Sequence, residues 1–292
     1  MDAIVQIIVT GLTLGAMYAL ASVGLALTYG TMGMFNMAHG VSMTAGAYAA
    51  YTAALFWGWP LSLAFLAGLV AGGLIGALLH LLVIRFMLKS EAFEINVIVA
   101  TAGVGILLQD LILKSYGAYP FRQPVQIEGT FRVANVAVTY QSVAILVIAG
   151  ILIGAMAWVL KRTRFGLAIR ATAMNREAAM LMGVKANQTY LQVLMIAGLL
   201  AAAAGILISS LATLSPDMGA NPLLRAFVIC VVAGLGSVAG AGISALALGL
   251  FEAAIQYYFG VRYGFPMMLG FVIIVLIWRP AGLFGHQEVV RS

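Results

Sequence analysis

Few side chains in this 292-residue chain can do chemistry. His39, His80 and His286 have no Cys, Asp or Glu at a metal-ligand spacing, so no metal site is expected. Cys230 stands alone in an apolar run and reads as a small buried hydrophobe. No Gly-Lys dipeptide occurs, which removes a phosphate-binding P-loop. There is no Gly-x-Ser-x-Gly elbow and no His-Glu-x-x-His pair. The expectation is therefore a chain with no catalytic residue and no cofactor, not an enzyme. If ATP drives it, another subunit must bind the nucleotide.

Two constellations remain. The first is Asn36-Met37-Ala38-His39-Gly40, an amide and an imidazole inside an apolar region. Polar groups in hydrocarbon are costly, so each needs a partner or a watery cavity. Gly30, Gly33 and Gly40 would permit a broken helix whose freed backbone groups line a pathway. Alternatively Asn36 and His39, three apart on one helical face, bond across helices as structural glue. Both readings stay open. The stretch Tyr29-Gly30-Thr31-Met32-Gly33 interrupts the early apolar region and Gly234-Leu235-Gly236-Ser237 the late one. Two Gly-broken hydrophobic segments in corresponding halves point to a transport pathway. Tyr29, Gly30, Asn36, His39, Gly40, Gly234, Gly236 and Ser237 are the pathway or structural candidates.

The second constellation is the polar stretch Lys161–Thr189, which holds six of the chain's 15 Lys and Arg residues. Asn175 is a good N-cap, and Glu177 sits where the helix dipole favours an anion. Ala178 to Met182 are strong helix formers, and Gly183 can take the left-handed position beyond the last turn. A helix of about two turns is marginal alone in water and must dock on something, its own protein or a partner. Of the remaining carboxylates, Asp110 should pair with Lys114 at i,i+4. Glu252, near the end of an apolar run, should snorkel to the interface.

The elements that position these groups follow from composition. The chain is 63% hydrophobic and 8% charged, against about 25% charged for a soluble domain, so lipid must be its solvent. Its net charge of +6 falls at the ends of apolar runs with no basic-aromatic stripe, which excludes nucleic acid as a partner. No Asp, Glu, Lys or Arg occurs from residue 3 to residue 84, room for three spans near Ile4–Tyr29, Phe35–Trp57 and Leu61–Ile84. Without a Lys or Arg before Arg85, the first run is expected to be a retained span rather than a cleaved signal peptide. Trp57, Trp59 and Pro60 suit an interfacial turn. Further spans are expected near Ile95–Leu113, Gln141–Leu160, Tyr190–Thr213 and Phe265–Trp278, with turns at Ser215-Pro216-Asp217 and Asn221-Pro222. Residues 224–259 could be one long helix or two pieces meeting at glycines. The alternating run Thr130–Thr139 suits a small hairpin. Small-xxx-small pairs at Gly11/Gly15, Gly72/Gly76, Gly150/Gly154 and Gly236/Gly240 suit close helix packing. The fold expected is all-α: one polytopic transmembrane bundle over residues 1–292, with about eight hydrophobic segments, some broken or re-entrant. The loops Arg85–Glu94 and Lys161–Thr189 carry eight basic residues against three (Lys114, Arg122, Arg132) in the loop between them. That puts the first two in the cytoplasm, the 114–140 loop outside and the N-terminus outside.

The residues also resemble a family over nearly the whole chain: the inner-membrane permease subunits of branched-chain amino acid ABC importers. Gly11-Leu12-Thr13-Leu14-Gly15, Tyr18-Ala19-Leu20, Tyr29-Gly30 and Asn36 to Gly40 resemble its opening signature. Arg164-Phe165-Gly166, Arg170-Ala171 and Glu177-Ala178-Ala179 with Gly183 resemble its cytoplasmic coupling loop. Gly234 to Ser237 and Pro280-Ala281-Gly282-Leu283-Phe284-Gly285 resemble its C-terminal signatures. Members often carry Glu after the His-Gly pair, where this chain has Val41. The resemblance implies a multi-pass protein of the bacterial inner membrane whose coupling residues are Arg170, Glu177, Ala178, Ala179 and Gly183. It also implies a homologous second permease, two cytoplasmic ATP-binding subunits and a periplasmic solute-binding protein as partners. Relatives handle Leu, Ile and Val, but also urea, short amides and other small organic solutes. An uncoupled small-solute channel is the competing class.

Overall fold

The computed structural model describes residues 2–88, 92–133 and 136–285. The helices run in the order α1 (Asp2–Met32), α2 (His39–Leu55), α3 (Leu61–Leu79), α4 (Arg85–Met87) and α5 (Phe93–Tyr116). A short hairpin, β1 (Thr130–Val133) and β2 (Val136–Thr139), precedes α6 (Tyr140–Arg162), α7 (Arg164–Met174), α8 (Arg176–Leu181) and α9 (Ala186–Leu211). The chain closes with α10 (Ala220–Ala233), α11 (Val238–Phe259) and α12 (Gly264–Trp278). A π-helical turn at His80–Ile84 joins α3 to α4, so Leu61–Met87 is one continuous span. Seven helical segments are long and apolar enough to cross a bilayer, as expected of a polytopic bundle. In lipid the backbone must satisfy itself, and helices do so within each segment.

The hairpin pairs Thr130 with Thr139 in antiparallel register, where the alternating sequence placed it. Thr139 then caps α6, its hydroxyl accepting from Ser142 N (3.2 Å). At this hairpin end Phe121 and Leu214 form a bridge that ties the 117–129 segment to the end of α9. The opposite end is basic: it gathers α4, the end of α6, α7, α8 and the start of α9. Lys89, one of the basic residues counted there, lies outside the described residues.

Besides the short helices α7 and α8 of the basic end, α2 and α10 do not cross. α2 has 17 residues and α10 has 14, rises of about 25 and 21 Å against a core of about 30 Å. Both begin at mid-depth. Ala38, before α2, packs on Gly105 at the middle of α5, and His39 reaches Ala21 within α1. Gly219, before α10, packs on Gly40. From that joint α2 climbs to the hairpin end, where the Trp57 and Trp59 rings meet at 5.1 Å, and α10 descends to the basic end, where Gly236 meets Gly30. The expected continuous span Phe35–Trp57 is thus corrected: residues 34–38 are not helical and the helix begins only at His39. The open region 224–259 resolves into two helices broken at Gly234 and Gly236, whose φ angles of +93° and +86° favour glycine. The turn expected at Asn221-Pro222 is instead the first turn of α10, which tolerates proline because its N–H would be unpaired anyway.

α9 is the most enclosed of the spans, and α3 crosses it where small residues let backbones touch. Gly72 meets Gly198, and Gly76 meets the Leu194 carbonyl; Gly11 and Gly15 receive α11 at Leu250 and Leu246 in the same way. Gly150 and Gly154 touch nothing within 4 Å, so that pair packs no described residue. These contacts predict opposite outcomes for similar changes. Gly198→Leu would drive a side chain into the Gly72 carbonyl, and overpacking costs about 1–3 kcal/mol or more. Gly150→Leu should leave the isolated chain's thermal stability in detergent unchanged. Equal melting temperatures for the two variants would refute the packing assignment.

Candidate functional site

The mid-depth joint holds three of the eight pathway candidates, Asn36, His39 and Gly40. Asn36 is 4% exposed, and it is not in a helix: its Oδ1 accepts from Ala38 N (3.0 Å) and its carbonyl from His39 N (3.2 Å). Met37 N donates to Thr101 Oγ1 on α5 (3.1 Å). Side chains therefore satisfy the backbone that the break in helix exposes, which lipid would not. His39 Nε2 donates to the Ala21 carbonyl (3.0 Å). Asn36 and His39 do not share a helical face, which corrects that expectation, but His39 does bond across helices. The two half-helices meet at Gly40 and Gly219, where Thr44 Oγ1 accepts from Gly219 N (3.1 Å). Beside the joint lies a cavity of about 240 Å3 whose lining includes Met37, Val41, Thr44, Gln109 and Asp217. Val41 makes its part of that wall apolar.

The second group of candidates closes the basic end. A Cβ on Gly30 would lie 2.8 Å from the Gly236 carbonyl, so the two Gly-broken segments are in direct contact. The Tyr29 ring packs at a tilt on Phe35 (4.5 Å between centroids), and Phe35 on Phe227 of α10 (4.9 Å). Ser237 caps α11, its Oγ accepting from Gly240 N (3.2 Å). The 280–285 signature folds back on this turn: Leu283 N donates to Val232 O (2.7 Å) and Phe284 N to Ala233 O (2.9 Å). The last carbonyls of α10 are thereby satisfied, and Gly234 packs against Gly285.

The basic stretch folds as two helices where one was expected. α7 was missed in sequence; Thr163 starts it by accepting from Gly166 N (3.0 Å). α8 is the expected short helix. Asn175 Oδ1 accepts from Ala178 N (2.9 Å). At its other end Gly183 takes φ +88° while Gly183 N bonds Met180 O and Val184 N bonds Ala179 O, both at 3.0 Å. That is the paired bonding of a Schellman motif. Ala179 is buried, whereas Glu177, Ala178 and Gly183 are exposed. Arg170 stands apart from them on α7, donating to the Leu160 carbonyl at the end of α6. The outer face of this unit is apolar: Met174, Leu181 and Met182 are 88%, 89% and 85% exposed.

One charged group contradicts its expected placement. Glu252 does not snorkel; it is fully buried, accepting from Tyr18 Oη at 2.9 Å on one oxygen and from Arg225 and Gln256, each at 3.1 Å, on the other. Three partners make burial tolerable for a carboxylate. Sequence reasoning missed the set because Tyr18 and Arg225 lie 234 and 27 residues away. The available signal was the lone Arg225 in an apolar helix. Asp110 and Lys114 pair at 2.9 Å, as expected. His80 Nε2 meets Asn187 Oδ1 (2.9 Å), and Cys230 is buried against the Ser22 carbonyl. Among the described residues no cluster of His, Cys, Asp and Glu could hold a metal.

Comparison with known proteins gives a family model, branched-chain amino acid transport system permease component, that matches residues 7–277. The chain is similar to the high-affinity branched-chain amino acid transport system permease protein BraD of Pseudomonas aeruginosa, at 28% identity over 98% of this chain and 97% of that protein. It is equally similar to LivH of Escherichia coli K12, a permease protein of the same description, with 28% identity over 96% and 95%. The autoinducer 2 import system permease protein LsrC of an Enterobacter strain is 31% identical over 79% of this chain and 66% of its own length.

Proposed function

This chain belongs to the branched-chain amino acid transport system permease family, and we propose that it is the membrane-spanning subunit of an ATP-driven importer for branched-chain or related amino acids. In this reading the protein sits in a bacterial inner membrane with its basic end in the cytoplasm. It pairs with a homologous second permease and receives solute from a periplasmic binding protein. Two cytoplasmic ATP-binding subunits supply the force.

The observation that carries the reading is the apex of the basic stretch. Met174, Leu181 and Met182 stand almost fully exposed on two capped helices at the end of the bundle that carries most of its charge. Exposed large apolar side chains ringed by polar ones mark an interaction site. An uncoupled channel has no use for such a unit. A coupled transporter does: rigid helices carry a partner's motion into the spans above. α8 follows α7 directly, and α7 packs on α1, α6 and α9, so a push at the apex reaches two of the central helices of the bundle. Alternating access then needs two arrangements of the spans, each favoured by one state of the ATPases. Arg170, Glu177, Ala178, Ala179 and Gly183 act here, Gly183 by fixing the turn that presents the apex. Tyr29, Gly30, Asn36, His39, Gly40, Gly234, Gly236 and Ser237 belong to the moving joints.

The test is reconstitution of the permease pair, ATPases and binding protein in liposomes with radiolabelled leucine. ATP-dependent uptake that requires both the ATPases and the binding protein is the expected result. Flux through the permease alone, without ATP, would replace the importer by a channel. Competition by valine, isoleucine, urea and short amides separates the solute classes.

A further inference from the structure

On the hairpin side of the joint a cavity of about 480 Å3 opens among α1, the end of α9, the 212–218 loop, the first turns of α10 and the C-terminal part of α11. That is within the usual range of about 300–1,000 Å3 for a small-molecule site. Its walls fall into two parts. Leu14, Met17, Ile208, Leu211 and Met218 form an aliphatic surface. Arg225, Glu252 and Asp217 bring charge of both signs to the same space. We infer that this cavity recognises the zwitterionic head of an α-amino acid, with Arg225 taking the carboxylate and Glu252 or Asp217 the ammonium, and with an aliphatic side chain lying on the apolar wall.

The chemistry of the pair supports a ligand. An ionisable pair inside a membrane protein is expensive and marks a substrate path unless it has another purpose. Replacing a buried ion pair by well-packed apolar residues is often neutral or stabilising, so fold alone does not call for it. Arg225 lies over the rings of Tyr18 (5.7 Å) and Phe265 (4.7 Å) and donates one nitrogen to Glu252, and its side chain keeps 21% of its surface exposed. A guanidinium with donors to spare is suited to bidentate capture of a carboxylate. Glu252 keeps acceptor capacity beyond its three bonds. Asp217, fixed by Ser215 Oγ at 2.7 Å, is exposed. It lines this cavity and also the smaller one at the joint, so a cation leaving the first is already beside the second. The first turn of α10 adds the positive end of a half-helix, which favours an anion. A neutral zwitterion entering here exchanges one internal ion pair for two external ones and leaves no charge unpaired. A solute lacking either charge would strand one partner.

The inference rests on the importer reading, and the test separates the two. In the reconstituted complex, Arg225→Gln combined with Glu252→Gln keeps a hydrogen-bonded pair of similar shape but removes both charges. Leucine uptake is expected to fall at least about tenfold (1.4 kcal/mol) at equal membrane abundance. Wild-type kinetics in this double variant would overturn the site and leave the importer standing. Absence of ATP-driven amino acid uptake by the wild-type complex would remove the importer reading itself. A second measurement keeps the charged pair intact and decides the matter if the double variant fails to accumulate. Met218→Cys, in a Cys230→Ala background, places a single thiol in the cavity wall of the assembled complex. Leucine should slow its reaction with a polar thiol reagent several-fold, whereas leucinamide and 4-methylpentanoate, which lack the carboxylate and the ammonium, should not. Equal protection by all three, or none by leucine, would overturn the proposal.

Discussion

Changing Leu181 and Met182 together to aspartate is expected to cut ATP-driven uptake by about 100-fold or more while the permease reaches the membrane at wild-type abundance. The two side chains are 89% and 85% exposed, so the isolated chain loses almost nothing; surface changes away from packed features stay within about 0.5 kcal/mol. At an interface the arithmetic differs. Buried apolar anchors at the centre of a contact are worth about 2 kcal/mol or more each, and every 1.4 kcal/mol is about a factor of ten in affinity. Two carboxylates would also have to be desolvated against the partner's apolar pocket. The check is twofold: co-purification of the ATPase subunits should collapse, and the permease's own melting curve should not move. Coupled uptake at the wild-type rate would show that the apex faces no partner. Loss of uptake with a shifted melting curve would assign α8 to the fold instead.

Sequence alone located the membrane class, six of the seven spans, the hairpin and the capped helix of the basic stretch. Those features are written in local patterns: runs of about 20 apolar residues, alternation at Thr130–Thr139, Asn175 before Glu177 and a glycine after the last turn. What it did not yield are features decided by depth and by distant partners. Residues 35–57 have the composition of a full span, and nothing in that composition says that the first four residues are not helical. That outcome depends on Asn36 and Thr101 offering the backbone better partners than another turn of helix. Glu252 shows the same limit. Three residues before the end of an apolar run, it has the position of a snorkelling side chain. Arg225, Tyr18 and Gln256 pull it inward instead, and two of them belong to other helices. Glycine spacing was equally ambiguous. Gly72 and Gly76 pack against α9 while Gly150 and Gly154, at the same spacing, meet nothing. The period says which glycines share a face; only the fold says what that face meets.

Gly219→Val is expected to abolish transport, and it probes the feature that sequence could not place. Gly219 and Gly40 each stand where a side chain would enter the other's backbone; a Cβ on Gly40 would lie 2.8 Å from the Gly219 carbonyl, and one on Gly219 would collide with the Gly40 carbonyl. Valine there must force the starts of α2 and α10 apart. That shift also breaks the bond from Gly219 N to Thr44 Oγ1 (3.1 Å), leaving a buried donor unsatisfied at a cost of about 1–3 kcal/mol. Overpacking adds about 1–3 kcal/mol. The sum is large for a membrane bundle but is not what makes the prediction informative. Thr44→Val removes the acceptor without adding bulk at the glycines, so it carries the first cost and not the second. If the joint is only a brace, both variants should lose uptake in proportion to lost folded protein. If the two half-helices must separate and rejoin during each cycle, Gly219→Val should fail even where its membrane abundance is restored by expression at lower temperature, and Thr44→Val should retain most of its uptake. Wild-type uptake per folded molecule in Gly219→Val would remove the joint from the transport cycle.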